Sequence, residues 1–472
     1  MRKTKIVCTL GPASTNEETI EKMLRAGMNV ARLNFSHGTH EEHGKTIDMF
    51  RRVRDKLELS AAVMLDTKGP EIRIKSFRDG AVRLKAGDNF VFTVDDVEGD
   101  SEKVSITYAE LPRQLPVGTK LLLDDGRLSF EVTETDDRNI TCRVLVGGEL
   151  KNRKSLNVPN VPIEMPYLSE TDKSDVLFGI EKDVDFIAAS FVRSAQDVID
   201  LRKFLDYNGG HNIKIISKIE NGQGVRAFDE ILRVSDGIMV ARGDMGVEVE
   251  FEKLPGIQKR FIRRCYSSGK IVITATQMLE SMISSLTPTR AEISDVANAV
   301  FDGTSAVMLS GETAMGIDPV NVVTVMSKIA ERAEGDAMEL NAYCDYNYDV
   351  DAEDTTNAIC DAACTTARDL KAKAIIAVTQ SGYTARLVSK FRPAETVVAA
   401  TPVQKTFHQL SMSWGVLPVL ALNQTDTDKL FRHAIDCAKK IDAVSKGDTV
   451  VITGGVPLLK NGTTNTLKVE MI

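Results

Sequence analysis

Ile213 to Gly222 reads IKIISKIENG, an apolar, strand-like run that ends abruptly in a lysine, a glutamate and an asparagine. A buried strand has no packing reason to end that way. Residues two apart on a strand point to the same side, so Lys218 and Glu220 emerge together at its C-terminal tip. Gly237 to Gly246, GIMVARGDMG, repeats the pattern and ends in Arg242, Gly243 and Asp244. If these two strands are neighbours in a parallel barrel, Glu220 and Asp244 can share a divalent cation, with Lys218 facing the anion that the cation holds. The plainer interpretation of either motif alone is a strand-end salt bridge and an exposed turn. The rest of the chain decides between them.

Working outward, short β-branched runs alternate with helical patterns, the signature of βα units around a parallel sheet. Strands are expected at Lys5–Leu10, Met28–Phe35, Ala61–Asp66, Asp185–Val192, Lys270–Met278 and Ala306–Glu312, besides the two already quoted. Ser14 and Glu17 offer a capping box for a first helix striped by Ile20, Met23 and Leu24 and closed by Gly27. Eight strands in residues 1–68 and 169–340, together about 240 residues, match the roughly 250 of a typical (β/α)8 barrel. The strand ends NFSHG, LDTKG, SFVRS, SKIEN, ARGD, TATQ and LSGE carry polar residues that packing does not ask for. Seven such ends form a site, because barrel active sites gather at the C-terminal face.

The rhythm breaks between 69 and 168. Alternation such as Phe90, Phe92, Val94 and Ile140, Cys142, Val144, Val146, with no convincing helix, predicts an inserted β-barrel lid entered at Gly69-Pro70. Beyond the acidic bridge Asn341 to Asp354, residues 341–472 read as an open α/β domain. The fold class is therefore α/β: a TIM barrel, an all-β lid and a C-terminal α/β unit.

Composition narrows the function. The 472 residues carry 67 acidic and 59 basic side chains, a formal charge of -8, which argues against generic binding to nucleic acid or an anionic membrane. Seven cysteines occur without a CxxC pair, as expected in a reducing compartment. MRKTKIVCTL is cut short by Gly11-Pro12, too early for a secretory signal, and no run approaches ~18 apolar residues. The expectation is a cytoplasmic protein.

Six motifs resemble the pyruvate kinases across essentially the whole chain: ARLNFSHG (31–38), LDTKGPEIR (65–73), IISKIENGQGV (215–225), MVARGDMGVE (239–248), TATQMLESM (274–282) and LSGETAMG (309–316). The resemblance implies transfer of a phosphoryl group from phosphoenolpyruvate to ADP, giving pyruvate and ATP. It implies Mg2+ (or Mn2+) on Glu220 and Asp244, and K+ on oxygens of Asn34, Ser36, Asp66 and Thr67. Lys218 would face the moving phosphoryl group, Arg32 would bind phosphate, and Thr276 with the Gly243 and Asp244 N–H groups would hold the substrate carboxylate. Nucleotide contacts would come from Asn34, His37, Arg73 and Lys154. Relatives that dispense with K+ carry lysine where this chain has Glu71. Family members are usually homotetramers.

Two other readings share part of this pattern. A Mg2+-dependent lyase or aldolase would use the same metal pair without nucleotide or K+, and a metabolite sensor would have lost catalysis. In the last domain, Thr379-Gln380-Ser381-Gly382-Tyr383-Thr384 resembles the family's sugar-phosphate effector loop, as Asn461-Gly462-Thr463-Thr464 does its second loop. The expected activator is fructose 1,6-bisphosphate, with AMP or a sugar monophosphate next. An ordinary N-capping turn explains the same residues.

Overall fold

Eight runs that are apolar on both faces find cover only inside a sheet wrapped by helices. In the computed structural model, which describes residues 2–340, 343, 354–456 and 464–472, they are β1 (Lys5–Thr9), β2 (Val30–Asn34), β3 (Ala62–Asp66), β4 (Phe186–Ala189), β5 (Lys214–Ile219), β6 (Gly237–Ala241), β7 (Ile271–Ala275) and β8 (Ala306–Leu309). Each pairs in parallel with the next, and β8 pairs with β1 to close the barrel. Val7, Met64, Phe186, Ile216, Met239 and Met308 fill its interior, and a second apolar shell joins strands to helices.

Local chemistry explains most helix ends, with two departures from expectation. The first helix, Glu17–Ala26, is capped by Asn16, whose side chain accepts from the Thr19 N–H, not by Ser14. The Ser14 hydroxyl is buried in the preceding loop, where it accepts from the Gly11 N–H. Gly27 ends that helix at φ 119°, a conformation that glycine adopts at little cost. The helix Arg290–Phe301 was not anticipated, although Thr289 and Glu292 form a complete capping box at its start.

The insertion is all-β apart from one turn of helix at Leu111–Gln114. Its strands form a six-stranded sheet and a separate two-stranded ribbon, Gly148–Lys151 with Ala81–Leu84. The sheet curls over one core containing Phe90, Phe92 and Phe130. It keeps two edges, Lys103–Ser105 and Leu156–Asn157, so the expected β-barrel is not closed by hydrogen bonds. Val146, expected inside, is 53 % exposed, because a register shift between Ser129 and Phe130 displaces the end of its pairing.

The C-terminal unit is a five-stranded sheet with one antiparallel edge, Thr466–Met471. It docks against the N-terminal ends of the barrel strands. Gln409 donates to the carbonyls of Asp185 and Asn212, Ser411 to that of Asn29, and Arg392 to that of Gly303. Each acceptor lies just before a barrel strand. Met412 enters the barrel interior and packs with its core side chains. Most of the bridge Asn341 to Asp354, and Asn461 to Thr463, lie outside the described residues.

Candidate active site

At the opposite, C-terminal face, β5 delivers Lys218 and Glu220 into a ring of charge. The Lys218 ammonium lies 2.9 Å from Glu220 Oε1 and donates to Asp66 Oδ1 at 3.1 Å and Ser190 Oγ at 2.8 Å. Asp66 Oδ2 accepts from Arg32 Nε at 2.6 Å, and Arg32 Nη1 donates to Thr9 Oγ1 at 2.8 Å. All four charged groups are buried. Burial alone would push the Lys218 pKa down, but Asp66 and Glu220 outweigh it and hold the ammonium protonated. Burial raises Asp66 too, and there Arg32 and Lys218 prevail, so its pKa is lowered. Glu220 goes the other way. Burial, against the pull of Lys218 and with the help of Asp244, lifts it to about 7.

Asp244 stands in the first turn of the helix Arg242–Glu248, which follows β6, the neighbour of β5 in the barrel. Burial and neighbouring negative charge together make the ionised Glu220 costly, and a cation between these carboxylates would relieve that cost. Among the described residues no group of three or more His, Cys, Asp or Glu is arranged to hold a metal. Two carboxylates with the remaining positions left to substrate and water suit Mg2+, which is commonly bound through one or two carboxylates plus phosphate oxygens.

The segment Arg242–Asp244 is braced by the end of β7. Arg242 donates to the carbonyls of Ala275 and Thr276 and pairs with Asp295 at 2.7 Å. Thr276 and Gln277 take φ 66° and 56°, a region that a β-branched residue enters only when its surroundings force it there. Held so, the Thr276 hydroxyl accepts from the Gly243 N–H at 2.8 Å. That N–H was expected to be open to a carboxylate, and here it is committed to Thr276. A Cβ on Gly243 would meet Thr276 at ordinary contact distance, so protein packing does not demand the glycine.

Asn34 ends β2, paired in register with Asp66, and Ser36 and His37 follow it, both exposed. Thr67 accepts the Ser190 N–H on its hydroxyl and the Ser190 hydroxyl on its carbonyl. Gly69, at φ 73°, then starts the lid so close to Ser190 that a Cβ would sit 2.8 Å from the Ser190 carbonyl oxygen. Arg73 and Lys154 do come together, on adjoining lid segments where the Ile74 N–H donates to the Lys154 carbonyl. Arg73 pairs with Glu71 at 2.7 Å and Lys154 with Asp124 at 2.5 Å. No hydrogen bond links this lid pair to Asn34 or His37 among the described residues. Glu71 binds Arg73 and Ser155.

Ser190, Thr9 and Arg242 were assigned no role from sequence. Ser190 was visible in the unexplained strand end SFVRS; nothing local to Thr9 or Arg242 reveals their partners. Glu312 of LSGE is spent on the N–H groups of Ser310 and Leu279. In the C-terminal unit, a helix begins at Tyr383. Thr379 accepts from the Gly382 N–H, and the buried Thr384 hydroxyl meets that of Thr464 at 2.7 Å.

Fold and site together define a (β/α)8-barrel enzyme whose C-terminal face gathers buried cations beside carboxylates. The family described as "Pyruvate kinase, barrel domain" matches residues 1–323, and "Pyruvate kinase, alpha/beta domain" matches residues 357–470. Pyruvate kinases of Staphylococcus haemolyticus and Staphylococcus aureus are each 48% identical over 474 aligned residues, covering 100% of this chain and 81% of theirs. The crystal structure of a pyruvate kinase from Cryptosporidium parvum superposes with a TM-score of 0.92 at 40% identity, covering 100% of this chain and 96% of that one. The chain belongs to the pyruvate kinase family.

Proposed function

We propose that this chain catalyses the last step of glycolysis, moving the phosphoryl group of phosphoenolpyruvate to ADP to give pyruvate and ATP. The observation that carries the reading is the buried Lys218 ammonium, held charged between Asp66 and Glu220 with Arg32 on the far side of Asp66. The P–O bond to the enol oxygen breaks as one forms to a terminal ADP oxygen, and the enolate left behind takes a proton at carbon. Phosphoryl transfer needs little covalent help from protein and much positioned positive charge. Lys218 and Arg32 supply it without reorganisation, because their carboxylate partners already fix them. Glu220 and Asp244 would hold Mg2+ or Mn2+, which would supply neutralisation of the negative charge on the substrate. Thr276, fixed by Arg242, orients the carboxylate end of the substrate beside Gly243 and Asp244.

In this reading K+ takes oxygens from Asn34, Ser36, Asp66 and Thr67, and the nucleotide lies between Asn34, His37 and the lid pair Arg73 and Lys154. The Thr379–Thr384 loop takes a sugar bisphosphate or AMP, and the enzyme works as a cytoplasmic homotetramer. The deciding experiment supplies phosphoenolpyruvate, ADP, Mg2+ and K+ and follows pyruvate. Pyruvate should form only with ADP present; its formation without ADP would favour a lyase, and none at all a sensor. Activity should require K+, and Glu71→Lys should weaken that requirement. Full activity in Na+-only buffer contradicts the K+ site.

A further inference from the structure

Arg193, in the strand end SFVRS, takes no part in the chemistry described above. The turn Ser190–Arg193, which follows β4, touches both functional groups of β5. The Ser190 hydroxyl accepts from Lys218 at 2.8 Å, and the Phe191 N–H donates to Glu220 Oε2 at 2.6 Å. The Val192 carbonyl accepts from Asn221 at 3.3 Å. Phe191 sits at φ 52°, a region that a bulky residue enters only when its surroundings hold it there.

The other side of the same turn meets the exit segment of the lid. Tyr167 donates from its hydroxyl to the Ser190 carbonyl at 3.0 Å. Arg193 Nη1 and Nη2 donate to the carbonyls of Ile163 and Met165 at 3.2 and 2.8 Å, while Asp197 holds the guanidinium at 3.2 Å. The carbonyl between those two, that of Glu164, turns to the lid and accepts from Tyr108 and Gln114. Residues 158–168 contain no helix or strand, and Pro159, Pro162 and Pro166 stiffen them into a strut. Between strut and barrel lies a cavity of about 80 Å³, bordered by Ile163, Met165, Phe191 and Arg193, large enough to hold water. Close packing therefore does not fix the strut here; the hydrogen bonds of Arg193 and Tyr167 do.

We propose that Arg193 and Tyr167 are positioning residues: by tying the strut of the lid to the Ser190–Arg193 turn, they keep the Ser190 hydroxyl on Lys218 and the Phe191 N–H on Glu220. They matter to catalysis only if Lys218 and Glu220 do, as the phosphoryl-transfer reading has it. A carboxylate that ligates a metal depends on the groups that orient it, and loss of such outer partners typically costs about 10–100-fold in metal affinity. Arginine suits the task because its planar fork serves two carbonyls and a carboxylate at once, whereas an ammonium is a point donor.

The test compares the unmodified chain with Arg193→Met, Arg193→Lys and Tyr167→Phe by hydrogen exchange and by calorimetric titration with Mn2+, both without substrate. In Arg193→Met, exchange over 189–194 should quicken while that over 213–219 stays as it was, the mark of a local opening. Mn2+ affinity should fall about tenfold, the lower end for a group that orients a metal ligand. Arg193→Lys and Tyr167→Phe should move both readouts the same way by less, with unchanged thermal midpoints. They decide the matter if Arg193→Met, which leaves the Asp197 carboxylate without its cation, does not fold. With phosphoenolpyruvate, ADP and saturating Mg2+, kcat should fall in the same order of variants. Unchanged exchange over 189–194 overturns the assignment, as does unchanged Mn2+ affinity in a chain that binds the metal, or an equal quickening over 213–219. If the unmodified chain neither forms pyruvate nor binds Mn2+, the phosphoryl-transfer reading fails, and the exchange data alone still judge the tie between strut and turn.

Discussion

Both ends of the barrel bury lysine, and they do so in opposite ways. At the C-terminal face, Lys218 sits between two carboxylates and a hydroxyl, and its charge is locked in. At the N-terminal face, Lys3 donates to the carbonyls of Pro393 and Ala394, and Lys5 to that of Val416. Burial drags these ammoniums down, to about 8 for Lys3, partly restored by Glu334, and to about 7 for Lys5. Carbonyl dipoles fix a lysine in place without compensating the removal of its charge from water, whereas carboxylates do both. The first end therefore keeps its lysine charged, and the second uses its lysines to join domains.

Removing the upper lysine tests that contrast most severely. Lys218→Met should cut turnover on the order of 10²–10³-fold while substrate and metal still bind; near-normal turnover would break the contrast at its stronger end. Next comes Arg242→Met, which frees Thr276 from the bond that holds its carbonyl and should lower kcat by up to about 10² with little change in thermal midpoint, as misplaced groups do. Retention of kcat would mean that Thr276 needs no brace.

Metal binding should respond to pH through Glu220. Its folded pKa, about 7, lies above the ordinary carboxylate value, so below neutrality the metal has to displace a proton. Mg2+ affinity should fall by up to about tenfold per pH unit below 7, read by titration calorimetry in buffers of different ionisation enthalpy. No proton release on binding at pH 6.5 would rule this out. The smallest effect belongs to the lower face. Between about pH 7 and 10.5 the unfolded chain keeps the Lys5 proton that the folded chain sheds, so stability gains with rising pH. Relative to Lys5→Met, the unmodified protein should gain up to about 2 kcal/mol between pH 7 and 9. A constant difference in denaturation midpoints would contradict it.

What the sequence disclosed divides along the same axis. Lys218, Glu220, Asp244 and Thr276 were legible because polar residues at the end of an apolar strand have no packing excuse. Ser190 was in view but unassigned, since its value lies in meeting three groups from other strands. The capping box of Arg290–Phe301 was local and simply overlooked, whereas the Ser14 box failed because Asn16 competes for the same helix start. The lower face was illegible: nothing near Lys3 or Met412 reports partners several hundred residues away, and a buried lysine bonded to carbonyls has no motif.

Met412 also orders events in time. All eight strands have been synthesised once Leu309 has been made, yet the side chain that closes the floor of the barrel follows about a hundred residues later. Until then the nascent barrel has an apolar opening at its base, lined by side chains such as Phe186 and Ile216. A chain released shortly after its eighth strand would keep that opening, and the surface most inclined to aggregate would be the one that the C-terminal domain covers.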